Sequence, residues 1–121
     1  MIAGIYNIFC QQGASFTRII DLQYPDVSDP TIFHPYDLTG FIARMQVRRT
    51  VTSTAVIVEL TTENGMIEIS ALDGRIFLNM TPEVTAGITS SGVYDLEIES
   101  EQGVVSRVIQ GTFTLSEEVT R

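Results

Sequence analysis

Three groups of residues in this chain have the types and spacing to do chemistry. Asp95, Glu97 and Glu99 alternate with Tyr94, Leu96 and Ile98, which puts three carboxylates on one face of a strand. Paired acids of that kind serve glycoside hydrolysis, but any half-solvated strand shows the same spacing. Arg44, Arg48 or Arg107 on adjacent strands would pair with the acids and make the row structural. A second group, Asp21, Asp26, Asp29 and Asp37, supplies oxygen ligands suited to calcium, although their spacing matches no calcium-binding loop. The third is the single histidine, His34, with the single cysteine, Cys10. A Cys/His nucleophile requires the two to meet in space, and neither carries a local motif for it. No phosphate loop, zinc spacing or dinucleotide fingerprint occurs. The residues therefore point away from an enzyme and toward no cofactor and no metal.

Cys10 lies in the apolar run Tyr6-Asn7-Ile8-Phe9-Cys10 and reads as a small buried hydrophobe rather than a reactive thiol. Seven cations stand against fifteen carboxylates, a formal net charge of −8. Phosphate-backbone binding needs clustered Lys and Arg, so nucleic acid is excluded as a partner class. All seven cations are arginine. Two readings of that are equal: arginine's planar fork suits carboxylate pairs and interfaces, and genome base composition alone can eliminate lysine. No apolar run has the length of a membrane span, and the start Met1-Ile2-Ala3-Gly4-Ile5-Tyr6-Asn7 lacks a basic region and a cleavage site. No membrane partner is expected.

The elements that must position these residues are short strands cut by turn signals. Residues 5–10 and 15–22 read as two strands joined at Gln11-Gln12-Gly13 in a hairpin. Phe41 to Arg49 alternates clearly, with Phe41, Ala43, Met45 and Val47 inward and Ile42, Arg44, Gln46 and Arg48 outward. Val56 to Leu60 follows, then Glu63-Asn64-Gly65 leads into Met66 to Ile69, and Asp73-Gly74 into Arg75 to Met80. Both turns contain the dipeptides that tight hairpins use. Thr81-Pro82-Glu83 starts a helix: threonine caps it, proline takes the first position, and glutamate suits the positive end. Gly87 and Ser91-Gly92 stop that helix near residue 88. Val93 to Glu99 and Val104 to Leu115 complete the series, with Gly111 marking a bulge or a close backbone approach. The expected fold is all-β, an antiparallel β-sandwich with one short helix at about 82–88, forming a single domain over residues 1–121.

Between Gln23 and Tyr36 the alternation breaks. Pro25, Pro30 and Pro35 remove ladder donors, and Asp26 and Asp29 favour turns, so a Pro-rich loop is expected at about 23–36. Long loops in compact domains are usually functional. Its Ile32-Phe33-His34 centre implies an ordered excursion that packs on the body or on a neighbour. Ile32, Phe33, His34 and Tyr36, with Arg44 and Arg48 on the clearest strand, are the candidate partner-binding residues.

Several segments, taken in order, resemble a family of small tailed-phage proteins. They are Gln11-Gln12-Gly13-Ala14-Ser15-Phe16, Asp37 to Arg48, Leu60-Thr61-Thr62-Glu63-Asn64-Gly65, Gly92-Val93-Tyr94-Asp95-Leu96-Glu97 and Glu118-Val119-Thr120-Arg121. The chain is similar along nearly all its length to the β-sandwich domain that opens many phage baseplate and receptor-binding-fibre proteins, including the upper baseplate protein of siphophages. The resemblance implies a structural virion protein, an adaptor connecting the baseplate to tail fibres or receptor-binding proteins. It implies other tail and baseplate proteins and a tail fibre protein as partners, several copies in a symmetric assembly, and a place in the phage tail after assembly in the host cytoplasm. It implies no reaction. Larger relatives continue into a coiled-coil or fibre segment where this chain ends at Arg121, which implies an adaptor without its own shaft, and the 23–36 loop is longer and richer in proline. The alternative is a carbohydrate-binding module reading host surface glycans, which needs exposed aromatic platforms. With no tryptophan and four tyrosines, the chain offers few.

Overall fold

A computed structural model describes residues 3–120; Met1, Ile2 and Arg121 lie outside the described residues, and with them the first two positions of the N-terminal reading and the last of the closing Glu118-Val119-Thr120-Arg121 segment. The elements are β1 (Gly4–Ile5), β2 (Ile8–Gln11), β3 (Phe16–Asp21), β4 (Gln23–Pro25), β5 (Phe33–Pro35), β6 (Ile42–Arg48), β7 (Val58–Thr61), β8 (Ile67–Ser70), β9 (Arg75–Met80), α1 (Pro82–Ala86), β10 (Gly92–Glu99) and β11 (Val105–Ser116). The fold is all-β. The larger sheet runs β1-β11-β10-β6-β7, with β2 also on β11; the smaller runs β3-β9-β8; and β4 with β5 makes a separate two-stranded ribbon.

The two main sheets face each other across one core. Ala43, Met45, Val47, Leu60, Leu96, Ile98 and Phe113 from the larger sheet meet Phe16, Ile67, Ile76, Leu78 and Met80 from the smaller. Strand periodicity of two accounts for this: along β6, Ala43, Met45 and Val47 are buried while Ile42, Arg44, Gln46 and Arg48 point outward. Leu38 and Cys10 are buried as well. Burial pushes the Cys10 thiol above its ordinary range, which disfavours the thiolate and fits a packing role.

Two expected hairpins are instead passages between sheets. β2 and β3 do not pair; β2 runs parallel to β11 (Phe113↔Ile8 to Ser116↔Gln11), and β3 pairs with β9. Gln12 explains the diversion. Its N–H donates to Ser116 O at 2.9 Å, its Nε2 donates to Ile88 O at 2.9 Å, and its Oε1 accepts from Glu118 N at 2.9 Å, which ties this corner to the chain's other end. The Glu63-Asn64-Gly65 turn also crosses sheets. Asn64 Oδ1 accepts from the N–H of Thr61 and of Met66, and its Nδ2 donates to Glu59 O, folding the corner on itself. Of these three turns only Asp73-Gly74 closes a hairpin, with Ser70↔Arg75 as the last pair of β8 and β9. Among the described residues no non-glycine has positive φ, so none of these turns is the two-residue type that needs two left-handed residues.

The pairings are antiparallel except those of β1 and β2 with β11. The break between these two edge pieces depends on Gly111. A Cβ there would lie 2.5 Å from Tyr6 O, so only glycine lets the Tyr6 carbonyl approach and accept the buried Tyr94 hydroxyl. Gly111 is thus the close approach; the bulge lies elsewhere on the strand, where Leu96↔Ile109 gives way to Glu97↔Arg107 and Val108 is the extra residue. That insertion makes Val108 and Ile109 both buried.

The helix begins as its residues predict. Thr81 is the N-cap, its hydroxyl accepting from Val84 N, and Pro82 occupies the first turn. It is two residues shorter than expected because Gly87 N and Ile88 N bond to Val84 O and Thr85 O, three residues back, in the tighter 3₁₀ pattern.

Candidate docking surfaces

The segment expected to be a loop is a hairpin arm. Gln23↔Pro35, Tyr24↔His34 and Pro25↔Phe33 pair antiparallel, so the prolines lie at the ends of a free two-stranded ribbon, where missing donors cost nothing in a ladder. Asp26 N donates to Ile32 O at 2.8 Å and Ile32 N to Asp29 O at 3.0 Å, closing the tip.

The arm's root is clamped by backbone. Tyr36 N donates to Leu22 O at 2.9 Å, Leu22 N to Gly74 O at 2.8 Å and Leu38 N to Ala71 O at 2.9 Å, joining both legs of the arm to the β8–β9 turn. Asp21 and Arg75 add an ion pair at 2.7 Å beside it. The acids flanking the arm are committed to local structure: Asp29 Oδ1 accepts from Thr31 N and Oγ1, and Asp37 Oδ1 from Thr39 N and Oγ1. Asp26 Oδ2 accepts from Ser28 N and Asp29 N, and its Oδ1 lies 2.8 Å from His34 Nε2, which must therefore carry the proton.

The His34 hydrogen bond, then the Ser28 and Asp29 amides, hold the Asp26 carboxyl below its usual 3.8. A depressed carboxyl stabilises the folded tip above the ordinary value, and that contribution is lost as pH falls through the lowered one. The Ser28 and Asp29 amide resonances are expected to move toward unstructured positions on acidification, with a midpoint below 3.8. A midpoint at or above the ordinary value would contradict the tip geometry.

Alternation splits the arm into two faces. Tyr24 and His34 share one, with ring centroids 5.5 Å apart; Tyr36 meets Tyr24 edge-on at 5.1 Å and packs against the core. Tyr36 joins this face to the body, while Tyr24 stays 41% exposed. Phe33 lies on the other at 56% exposure, with Ile32 at 48% and Val27 fully exposed near the tip. The structure thus gathers Ile32, Phe33, His34 and Tyr36 in one arm, but it leaves Ile32 and Phe33 uncovered by their own chain.

Arg44 and Arg48 lie elsewhere, on the outer face of the larger sheet. Register places Glu97 between Arg44 and Arg107, and Asp95 between Gln46 and Gln110. Arg44 reaches Glu97 at 3.2 Å and Glu99 at 3.1 Å, and Arg107 reaches Asp95 at 3.4 Å. The three strand carboxylates are therefore rows of ion pairs, half exposed and worth at most about 1 kcal/mol each. Arg48 has no carboxylate; its Nη1 donates to Ser53 O and Thr54 O at 2.8 and 2.9 Å and so shapes the 49–57 loop. Between that loop at Val51 and Ile5 of β1 runs a shallow groove of about 610 Å³.

Sequence reasoning missed Arg49. It is exposed at the end of β6, and among the described residues it has no carboxylate or hydrogen-bond partner. It borders a second cleft of about 580 Å³ between the 53–57 segment and Thr89-Ser90. Such a residue has no local signature, because partnering is decided by the tertiary fold. Among the described residues no three His, Cys, Asp or Glu side chains gather as a metal site would require, and no helix is long and apolar enough to cross a membrane.

Neither a family model nor a curated protein sequence matches the chain.

Proposed function

We propose that the chain is a structural adaptor of a phage tail, joining the baseplate to a tail fibre or receptor-binding protein. The observation that carries this is the arm, which is rigid at its root through three backbone bonds and presents Ile32 and Phe33 to solvent at its far end. A hairpin stapled to a sandwich at one end and apolar at the other is costly to expose unless something covers it. The phage-like segments fit the same reading: Leu38 anchors the start of β6 from the core, and Tyr94 and Leu96 are buried while Asp95 and Glu97 stay wet. The outer face of the larger sheet, with its groove, offers a second docking surface. Several copies in a symmetric ring would turn modest contacts into firm attachment.

Purified tail particles of the parent phage are expected to contain this 13.4 kDa chain in several copies per particle. Particles that lack it would end the adaptor reading.

One observation favours the glycan-binding alternative, the Tyr24, His34 and Tyr36 cluster. Tyr24 is 41% exposed, but its ring is met edge-on by Tyr36 and at a tilt by His34, and only Tyr36 packs on the body, so the cluster forms no flat platform for a sugar to stack on.

A further inference from the structure

We propose that the arm of one copy docks into the Arg49 cleft of the next, so that copies join head to tail. This rests on the reading of the arm as a docking element, and it names the occupant.

From Ile19 to Ala43 the chain contains four aspartates and neither lysine nor arginine. The arm is therefore an apolar tip set among Asp26 and Asp29 with no cation of its own. Its complement is a cleft of mixed lining, with some apolar wall and an arginine with charge to spare at its edge, and this chain carries one. The cleft has Val56 and Ile57 on its wall and Arg49 at its rim, and no carboxylate among its lining residues. Of the other cations, Arg44, Arg75 and Arg107 are neutralised by carboxylates, Arg48 is held by the Ser53 and Thr54 carbonyls, and Arg18 caps the Thr17 and Phe9 carbonyls. Arg49 is the described guanidinium left to meet an incoming carboxylate.

Geometry adds an independent constraint. The arm's root lies at the Ile42 end of β6, since Leu38 to Phe41 leads directly into that strand and Gly40 abuts the Glu101 side chain beyond β10. The cleft lies at the Arg48 end. Seven residues of strand separate the two by about 20 Å. The arm and the cleft are different patches of one molecule, so copies joined through them make a heterologous contact, which repeats from copy to copy as a ring or a filament. Head-to-tail docking leaves the outer face of the larger sheet open on every copy for the fibre or baseplate.

Complementary variants of the full chain test this by sedimentation. Ile32→Ser with Phe33→Ser removes the arm's anchors and leaves the cleft; Arg49→Asp spoils the cleft and leaves the arm. Circular dichroism of both verifies folding, and Asp29→Arg replaces the arm variant should it fail to fold. Wild type is expected to form species larger than dimers, each variant alone to associate at least tenfold more weakly, and the two variants mixed to form a 1:1 dimer through the one intact contact. A wild type that stays monomeric at about 1 mM, where even weak contacts register, would overturn the proposal, as would mixed variants that remain monomers or variants that associate as wild type does. A monomeric chain that still enters tail particles would sink head-to-tail docking and leave the adaptor role standing.

Discussion

Gly74→Val is expected to destabilise the protein by on the order of 3 kcal/mol or more and to lower its melting temperature by roughly 10 °C. Gly74 has φ +62°, and a Cβ there would lie 2.6 Å from Leu22 O and 2.8 Å from both Tyr36 N and Tyr36 O. All three are backbone atoms, so no rotamer change relieves the collision. They are also members of the clamp, in which Tyr36 N bonds Leu22 O and Leu22 N bonds Gly74 O. Making room for a side chain means opening those bonds and freeing the arm's root. Gly65→Val is the control: its φ is +81°, but a Cβ there meets nothing within 4 Å, so it bears only the left-handed penalty of about 1–2 kcal/mol. Chemical denaturation of the two variants measures the difference. Equal losses would show that the arm is not braced on this turn.

Ile32→Ser with Phe33→Ser is expected to do the reverse, sparing stability and abolishing docking. Both side chains lie about half in water, so each substitution removes little burial and is expected to cost about 0.5 kcal/mol. In a docked arm the same two would be central anchors, and losing anchors of about 2 kcal/mol each weakens binding by roughly 30-fold apiece. No charge changes, so Asp26 and Asp29 still steer the encounter. A variant that melts like wild type but fails to dock separates the two roles.

Local features of the chain made much of this legible. The alternation from Ala43 to Val47 reports a strand with one face buried, because a period of two is intrinsic to extended backbone. Thr81-Pro82 marks a helix start through capping chemistry that involves only four residues. What stayed hidden depends on distant partners. Gln11-Gln12-Gly13 and Glu63-Asn64-Gly65 look like hairpin corners, and whether such a corner stays in one sheet or changes sheets is decided by contacts such as Gln12 with Ser116. The parallel seating of β2 on β11 is of the same kind, joining residues about a hundred positions apart. Pro25 and Pro35 argued against strands, but a two-stranded ribbon has free edges where proline is tolerated. Among the candidate residues, the arm was found through its composition. Arg44 and Arg48 stood out by their outward position, yet the fold binds one to Glu97 and Glu99 and the other to loop carbonyls, while Arg49, one residue further, kept its charge uncompensated.

In the proposal above, the arm is a docking element on a scaffold that does not need its tip. In the proposed tail-adaptor role the deciding measurement is incorporation into tail particles, comparing wild type with Ile32→Ser/Phe33→Ser at equal concentration and with matched melting curves. The arm's exposure predicts that the variant melts as wild type does and is reduced at least tenfold in the particles. Incorporation of the folded variant at the wild-type level would contradict it.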